Sequence, residues 1–598
     1  MSSSSSHSAR HHERPRWQWW LLGFLILLTF VCGVVGFRIY DVDNKLPGDF
    51  LDACYHTVQL FLVHEPTLSL PINWFLEIAR WLALGLFGYA ACSTGLRIFS
   101  TELRVMALRR FRGHTILCGQ GRTGLELARC TMANQPRRPL VVLLQPGDDS
   151  LLHEFEGLRA TVLVGRPLSL LERAGLARAA RIIVAGEVDG DNVELALRAV
   201  VLSHAARSAS LPPLNCHVQV GDVDLRDALR RRQLPGTDGR CVVRFFDFFE
   251  HAARDVLLNQ GQLPLDHHGI SATDPRQVHL IIIGFGGMGR ALAVKAAQLG
   301  HFANHRPLKI SVLDADAPAR EQSLLFRYPA FHKTCEISFH ALPVESAAAY
   351  ALIEAWCTDQ DKIPCLAVCL DNDPLALRLA LRLQPLFEAH QVPVTLRMTR
   401  PDGLNSLLKA PAVGASLSYY LRSFGWLDTA ACARFIAEEV GPRERMAALV
   451  QCRFVALAKD QGREGKIDGA VKEWDQLRDE DYKESNRQQV DHIAIKLRAI
   501  GCEAAPRTDP RPEVQLTEAE INLLSTMEHA RWAAERLLAG WTYAAGKKNP
   551  ETRTNPNLVP WAELTEPVKE YDRDAVRNIR ELLAAVDQQK IVRRQPLG

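Results

Sequence analysis

The chain has 598 residues, with 71 basic against 68 acidic and a formal net charge of +3. That length accommodates roughly three or four domains. The near-balance of charge excludes a phosphate-tracking nucleic-acid binder, which carries a clear basic excess. The 14 cysteines form no CxxC pair, and several, such as Cys118 and Cys369, sit in apolar runs. They read as reduced, buried thiols of a cytosolic compartment, and no metal-ligand cluster is expected.

The first element is apolar. Residues 17–40 carry no charge from Trp19 to Phe37, which is long enough to cross a bilayer. Trp17, Trp19 and Trp20 fit an interfacial aromatic belt. A second apolar run covers residues 74–96, with Glu77 and Arg80 placed to pair at i, i+3. Arg10, Arg14 and Arg16 precede the first span, and Arg97, Arg104, Arg109, Arg110 and Arg112 follow the second. The loop between them is mainly acidic, with Asp41, Asp43, Asp49, Asp52 and Glu65. The positive-inside rule then puts both termini in the cytoplasm, and the expected location is a bacterial inner membrane.

Between the spans, residues 48–64 are apolar but too short to cross. They read as a re-entrant, pore-like segment or as an extracellular amphipathic helix. Helix, re-entrant segment and helix is the layout of a two-helix potassium-channel pore, and DACYHTVQLF resembles the pore-helix region of that family. The resemblance implies pore residues at Thr57, Val58 and Gln59 and monovalent cations, potassium first, as the permeant partner. A potassium filter uses consecutive carbonyls from TVGYG-like sequence, whereas Thr57-Val58 is followed by Gln59-Leu60-Phe61 with no glycine. Selectivity therefore stays open. Gly85 and Gly88 fit either a hinge or close helix packing. Residues 1–113 form the membrane region and its linker.

At His114 the pattern changes. HTILCGQGRTGLELARCTMAN runs an apolar strand into Gly119-x-Gly121-x-x-Gly124 and then a helix, followed by the strand PLVVLLQ. Such glycines permit a tight turn, backbone approach to a pyrophosphate and close helix–strand packing, with phosphate on the helix N-terminus. Gly165, the turn from Leu171 to Leu176, and RIIVAGEVD leading to Asp191-Asn192 follow. With these features, residues 114–258 resemble the TrkA-N, or RCK, domain that regulates potassium channels and transporters. The acidic ribose position of that family is Gln145 here, and its frequent Gly-Asp is Gly165-Arg166.

A second copy covers residues 276–425. Its strand from Val278 meets Gly284-x-Gly286-x-x-Gly289, and LKISVLDAD ends at Asp314, the ribose position. CLAVCLDNDPLALRLALRL repeats the strand, Asp/Asn turn and helix at Asp371 to Asp373. The expected cofactor is NAD(H) or another adenine nucleotide. His217 and His279 read as hydrogen-bonded structural residues, and no catalytic set stands beside either loop.

From about Pro442 the chain turns helical and polar. Trp474 and Trp561 each begin a Trp-x-x-Leu, an acidic run, an arginine (Arg487 or Arg573) and an amphipathic helix, which argues for duplicated modules. Residues 515–590 contain Glu528-His529-x-x-Trp532, Gly540-Trp541-x-Tyr543 and Asn555-Pro556-x-Leu558-Val559-Pro560-Trp561. On these motifs the segment resembles the RyR domain, the repeat named after ryanodine receptors, and residues 440–505 resemble a degenerate copy. The resemblance implies a sensor of a nucleotide-derived small molecule. The candidate ligand residues are Trp532, Trp541 and Tyr543 for stacking and His529, Lys547 and Lys548 for phosphate. Packing of the same aromatics as a small helical core is the competing reading.

The fold class expected is α/β plus membrane α: a two-helix transmembrane region, two tandem Rossmann-like domains of RCK type, then duplicated helical RyR-like modules. The function expected is a ligand-gated, potassium-channel-like homotetramer with no enzymatic role. A membrane-anchored sensor without a pore and a membrane-tethered NAD-dependent enzyme are the alternatives.

Overall fold

A computed structural model describes residues 16–61, 72–108, 110–119, 121–147, 149–231, 239–258, 265–266, 269–399, 421–425, 441–460, 472–474, 477 and 480–595. The chain divides into two compact units, residues 1–116 with 139–179, and residues 117–138 with 180–598.

In the first unit, α1 (Arg16–Asp43), α2 (Phe50–Phe61) and α3 (Trp74–Leu108) pack together. Their shared core holds Cys32, Phe37, Ala53, Leu60, Leu76 and Ala79. Small residues set the approach: a Cβ on Gly36 would stand 2.8 Å from the Leu76 backbone nitrogen. Asn73 donates to the Gly36 carbonyl at 2.7 Å and accepts from the Leu76 amide at 3.0 Å, so one side chain caps α3 and ties it to α1. Outward, Trp20, Phe24, Leu27, Trp81 and Phe87 are exposed, an apolar surface that water disfavours and a bilayer accepts. Trp20–Asp43 and Trp74–Thr94 are long and apolar enough to cross a membrane.

Two boundaries differ from the sequence reading. The first helix extends to Asp43, and the second does not stop near residue 96 but continues to Leu108. No glycine or proline interrupts Arg97 to Leu108, so nothing terminates the helix where its hydrophobicity ends. A Cβ on Gly85 or Gly88 would meet nothing, so neither glycine serves close packing within this chain.

Two six-stranded sheets follow. The first is built from β1 (Thr115–Gly119), α4 (Gly121–Asn134), β2 (Leu140–Leu144), α5 (Asp149–Gly157), β3 (Thr161–Val164), α6 (Pro167–Leu170), β4 (Arg181–Ala185), α7 (Asp189–Ala206), β5 (Leu214–Gln219), α8 (Val223–Arg231), β6 (Cys241–Phe246) and α9 (Phe248–Leu258). The second comprises β7 (Gln277–Ile283), α10 (Gly287–Leu299), β8 (Lys309–Asp314), α11 (Ala317–Arg327), β9 (Glu336–Ala341), α12 (Ala347–Thr358), β10 (Lys362–Val368), α13 (Asp373–His390), β11 (Val394–Arg397) and β12 (Leu421–Phe424). The strand orders are β3-β2-β1-β4-β5-β6 and β12-β11-β10-β7-β8-β9. Both are the Rossmann-like order, with the crevice between the first and fourth strands of each set.

The run Leu280-Ile281-Ile282-Ile283 shows why β7 is central. Leu280 and Ile282 face one apolar core and Ile281 and Ile283 the other, the two-sided burial that parallel sheets require. Burial pushes the thiols of Cys118 and Cys369 up to about 12, so both are inert core residues.

The C-terminal part carries α14 (Pro442–Asp460), α15 (Glu480–Asp491), α16 (Ile493–Ala499), β13 (Cys502–Pro506), α17 (Glu518–Leu538), α18 (Glu566–Arg577), α19 (Ile579–Val586) and β14 (Gln589–Arg593). Helix, helix, short helix and strand occur twice in the same order. The starts Glu480 and Glu566, Ile493 and Ile579, and Cys502 and Gln589 are 86, 86 and 87 residues apart. Lys483 lies over the Trp474 ring at 5.0 Å and Lys569 over Trp561 at 5.8 Å, the same contact in both halves. The strands β13 and β14 pair antiparallel. A buried chain of charges joins the halves: Lys496 to Glu528, Glu528 to Arg531, Arg531 to Glu535, and Ser485 to Glu535. Removing one member leaves a buried charge uncompensated, at a cost of about 3–5 kcal/mol.

Candidate functional site

The two glycine loops obey one steric rule. A Cβ on Gly124 would stand 2.6 Å from the Gly119 carbonyl oxygen, and a Cβ on Gly289 would collide with the Gly284 carbonyl. First and third glycines thus let each strand end touch its helix, as a dinucleotide loop requires. Gly121 and Gly284 have φ of +61° and +89°, the left-handed region that favours glycine. Gly286 is the residue before α10.

The surroundings of the loops differ. In the first copy Glu187 approaches the loop, its Oε1 3.8 Å from where a Gly121 Cβ would be, and Gln145 is exposed just after β2. Asn192 braces the next turn, accepting from the Gly186 amide at 2.9 Å and donating to the carbonyls of Gly186 and Gln219. In the second copy Asp314 is turned onto the loop: Oδ2 accepts from the Phe285 amide at 2.7 Å and Oδ1 from the Asp316 amide at 2.9 Å. Asp371 pairs with Arg397, Asn372 caps α13, and Asp373 accepts from the Thr399 amide at 2.8 Å. Arg397 lies over the Phe249 ring at 5.3 Å, and that ring is also what a Gly287 Cβ would meet at 2.7 Å. Phe249 therefore stands beside the first turn of α10, a neighbour that loop spacing alone does not reveal.

The RyR residues fall into separate clusters. His529 stacks on Trp532 at 5.6 Å, and its Nε2 bonds to the Val559 carbonyl at 2.8 Å while Nδ1 faces Asp572 at 3.6 Å. Burial works to lower its pKa, but the bonds to Asp572 and Val559 outweigh that and hold it above the ordinary value. Trp541 belongs with Arg536 at 5.6 Å and Lys548 at 5.3 Å. Lys548 donates to the Tyr482 hydroxyl at 2.9 Å, which brings in a residue from the preceding module. Tyr543 is 56% exposed, and Lys547 is exposed as well. The predicted trio of rings is thus split, with Trp532 on the His529 side and Trp541 on the Tyr482 side. Tyr482 is a ring the sequence reading missed, because its partner lies 66 residues away.

Thr57, Val58 and Gln59 all lie inside α2. Thr57 is buried, donates to the Ala53 carbonyl at 2.7 Å and packs on Gly33. Gln59 contacts His56 at 3.1 Å, and Val58 is 49% exposed. A filter presents non-helical carbonyls, so these three are positions of the short helix itself. Residues 62–71, which follow it and include the end of the expected pore-like segment, lie outside the described residues.

Residues 513–589 match the RyR domain. Among solved structures, the chain is similar to the GsuK channel bound to NAD, with 14% identity over 71% of this chain and 84% of that one and a TM-score of 0.37. A further GsuK channel structure shows 16% identity over 70% and 96%, with a TM-score of 0.36. A dipicolinate synthase polypeptide from Bacillus halodurans shows 11% identity over 55% and 97%, with a TM-score of 0.20. The chain thus carries a RyR domain at its C-terminal end, behind two Rossmann-like sheets and two apolar N-terminal helices.

Proposed function

We propose that this chain is the protomer of a ligand-gated, potassium-channel-like cation channel, a homotetramer in a bacterial inner membrane with both termini cytoplasmic. In this reading residues 114–258 and 276–425 are RCK-type regulatory domains. The second glycine loop, with Asp314, takes NAD(H) or another adenine nucleotide. Residues 440–505 are a degenerate partner of the RyR domain, and the pair senses a nucleotide-derived ligand through two separate clusters, Trp541 with the exposed Tyr543 and Lys547 on one side and Trp532 with His529 on the other. The role is regulatory rather than enzymatic.

The observation that carries this reading is the continuity of α3. The helix runs from its apolar span to Leu108, and six residues separate it from β1, which begins at Thr115. The intervening chain is clasped by the 174–178 turn. Gly113 donates to the Arg178 carbonyl at 2.8 Å, Arg178 Nε donates to the Phe111 carbonyl at 3.4 Å, and His114 Nε2 meets the Ala174 carbonyl at 2.8 Å. A rigid helix fastened this way transmits a displacement of its cytosolic domain to the membrane with little slack.

The test is ion flux through liposomes holding the purified full chain, with and without NAD(H), ATP and cyclic nucleotides. Ligand-dependent flux is expected, with Gly113→Pro, which removes the clasping amide and cannot keep the φ of +65° held there, uncoupling ligand from flux. Absence of flux under every condition, with binding retained, would replace the channel by the membrane-anchored sensor.

A further inference from the structure

A cavity of about 220 Å³ lies where α8, α9, α10, α15 and α17 converge, all within the second unit. A water molecule takes about 30 Å³ in the liquid, so the space suits a small solute. Its walls come from the tail of the first sheet, the helix that follows the second glycine loop, and both C-terminal modules.

Two features of the wall point to an occupant. Gln488 is only 5% exposed, lines the cavity, and its Oε1 has no hydrogen-bond partner. Gln298 Oε1, from α10, is a second buried acceptor in the same wall without a donor. Buried acceptors are nearly always satisfied in native proteins, and these two are placed to accept N–H or O–H hydrogens from a molecule bound in the cavity.

The second feature is charge. Five of the wall's six carboxylates are engaged in ion pairs, Glu250 and Asp247 with Arg226, Asp227 with Arg327, Glu484 with Arg443 and Arg487, and Glu535 with Arg531, while the sixth, Asp481, is exposed at the surface. Arg290 and Lys295 line the cavity from α10, and neither has an ion-pair partner among the described residues. Lys295 is only 9% exposed. Burial pulls its pKa down, against the more distant Asp491 and Glu484 that raise it. An anion brought to Arg290 and Lys295 would form the charge-assisted hydrogen bonds these groups lack.

We propose that this cavity is a binding site for a small phosphorylated, hydroxyl-bearing metabolite, its phosphate held by Arg290 and Lys295 and its hydroxyl or amino hydrogens by Gln298 and Gln488. The site is separate from the crevice at Asp314, although Gly287 at the start of α10 contributes to its wall. A ligand there touches helices of both Rossmann-like domains and of the RyR domain at once. It thereby stabilises the one arrangement in which all of them meet. The proposal rests on the sensor reading above and is independent of whether the membrane helices conduct.

The experiment is titration calorimetry of the full-length protein in detergent with ribose 5-phosphate and inorganic phosphate. The wild type is compared with Lys295→Met, Arg290→Ala and Asp314→Asn, and unliganded melting curves confirm that each variant folds. Saturable binding of ribose 5-phosphate is expected, about tenfold weaker in Lys295→Met and in Arg290→Ala and unmoved in Asp314→Asn. Binding that survives both cavity variants but falls in Asp314→Asn would assign the ligand to the glycine crevice and overturn the proposal. Binding of inorganic phosphate alone, or of none of the probes, would overturn it too. Absence of ion flux alongside cavity-dependent binding would remove the channel and leave this site standing.

Discussion

The two Rossmann-like copies share a scaffold and differ in what faces the loop. Both repeat the strand order and the contact between first and third glycines. They also share a buried histidine five residues before the first glycine, His114 and His279. Around that common frame, the first copy offers Gln145 exposed after its second strand. The second offers Asp314 already bonded to the loop amide of Phe285. The steric requirements of the fold have been kept in both, while the polar group that would read a ribose stands in one. Scaffold and recognition are thus separable, and substitutions can pull them apart.

The largest effect is expected where scaffold alone is at stake. Gly289→Ala places a methyl against the Gly284 carbonyl and should destabilise the second sheet by about 3 kcal/mol, with Gly124→Ala costing about 2 kcal/mol in the first. Hydrogen exchange over β7 and over β1 reads the two losses separately. An equal tolerance of alanine at both positions would show that the close approach is not a constraint of the fold.

Next comes pH. Burial, followed by Lys309 and Lys362, lowers His279 to about 3, and burial also lowers His114. Below the ordinary value of 6.5 an unfolded histidine takes up a proton that the folded one refuses. Stability is therefore full above pH 6.5 and falls as pH drops toward 3, by up to about 1.4 kcal/mol per unit for His279. His279→Gln should flatten that part of the profile in β7. An unchanged slope would place the acid sensitivity elsewhere.

Recognition is tested with smaller changes. Asp314→Asn is expected to weaken NADH or ATP binding about tenfold, the share of a charged hydrogen bond, while Gln145→Ala leaves it unmoved. Full affinity in Asp314→Asn would make that carboxylate a brace for the loop and nothing more. The smallest effect is the reverse exchange: Gln145→Asp should raise nucleotide affinity of the first copy about threefold, since an exposed carboxylate is well screened. No gain would mean that Glu187 beside Gly121, rather than Gln145, limits that crevice.

Much of this molecule is written in local pattern. The apolar span from Trp19 to Phe37 declares a membrane-length helix because a bilayer sets its length. The unbroken apolar run Leu280-Ile281-Ile282-Ile283 and the two GxGxxG spacings declare buried parallel strands running into helices, because such runs and turn sterics act over a few residues. The Trp474 and Trp561 repeat was visible as self-similarity, and the element starts 86 and 87 residues apart follow the same interval. The extension of α3 to Leu108 was less visible, since hydrophobicity marks where a membrane ends and not where a helix does.

The sites were legible only where a site is local. The first and third glycines of each loop could be named from spacing because they meet each other across five positions. Spacing could not show that Trp532 and Trp541 would take different partners, nor that Tyr482 would reach Lys548. The cavity behind Arg290, Lys295, Gln298 and Gln488 carries no motif at all. By itself the sequence determined the elements, their order and the turn chemistry, because these depend on propensity, periodicity and backbone sterics over short range. Only the tertiary structure decided which buried charges pair and which are left over. Pairing depends on distances between residues up to 232 positions apart, as for Asp266 and Arg498, and no local pattern encodes such a distance.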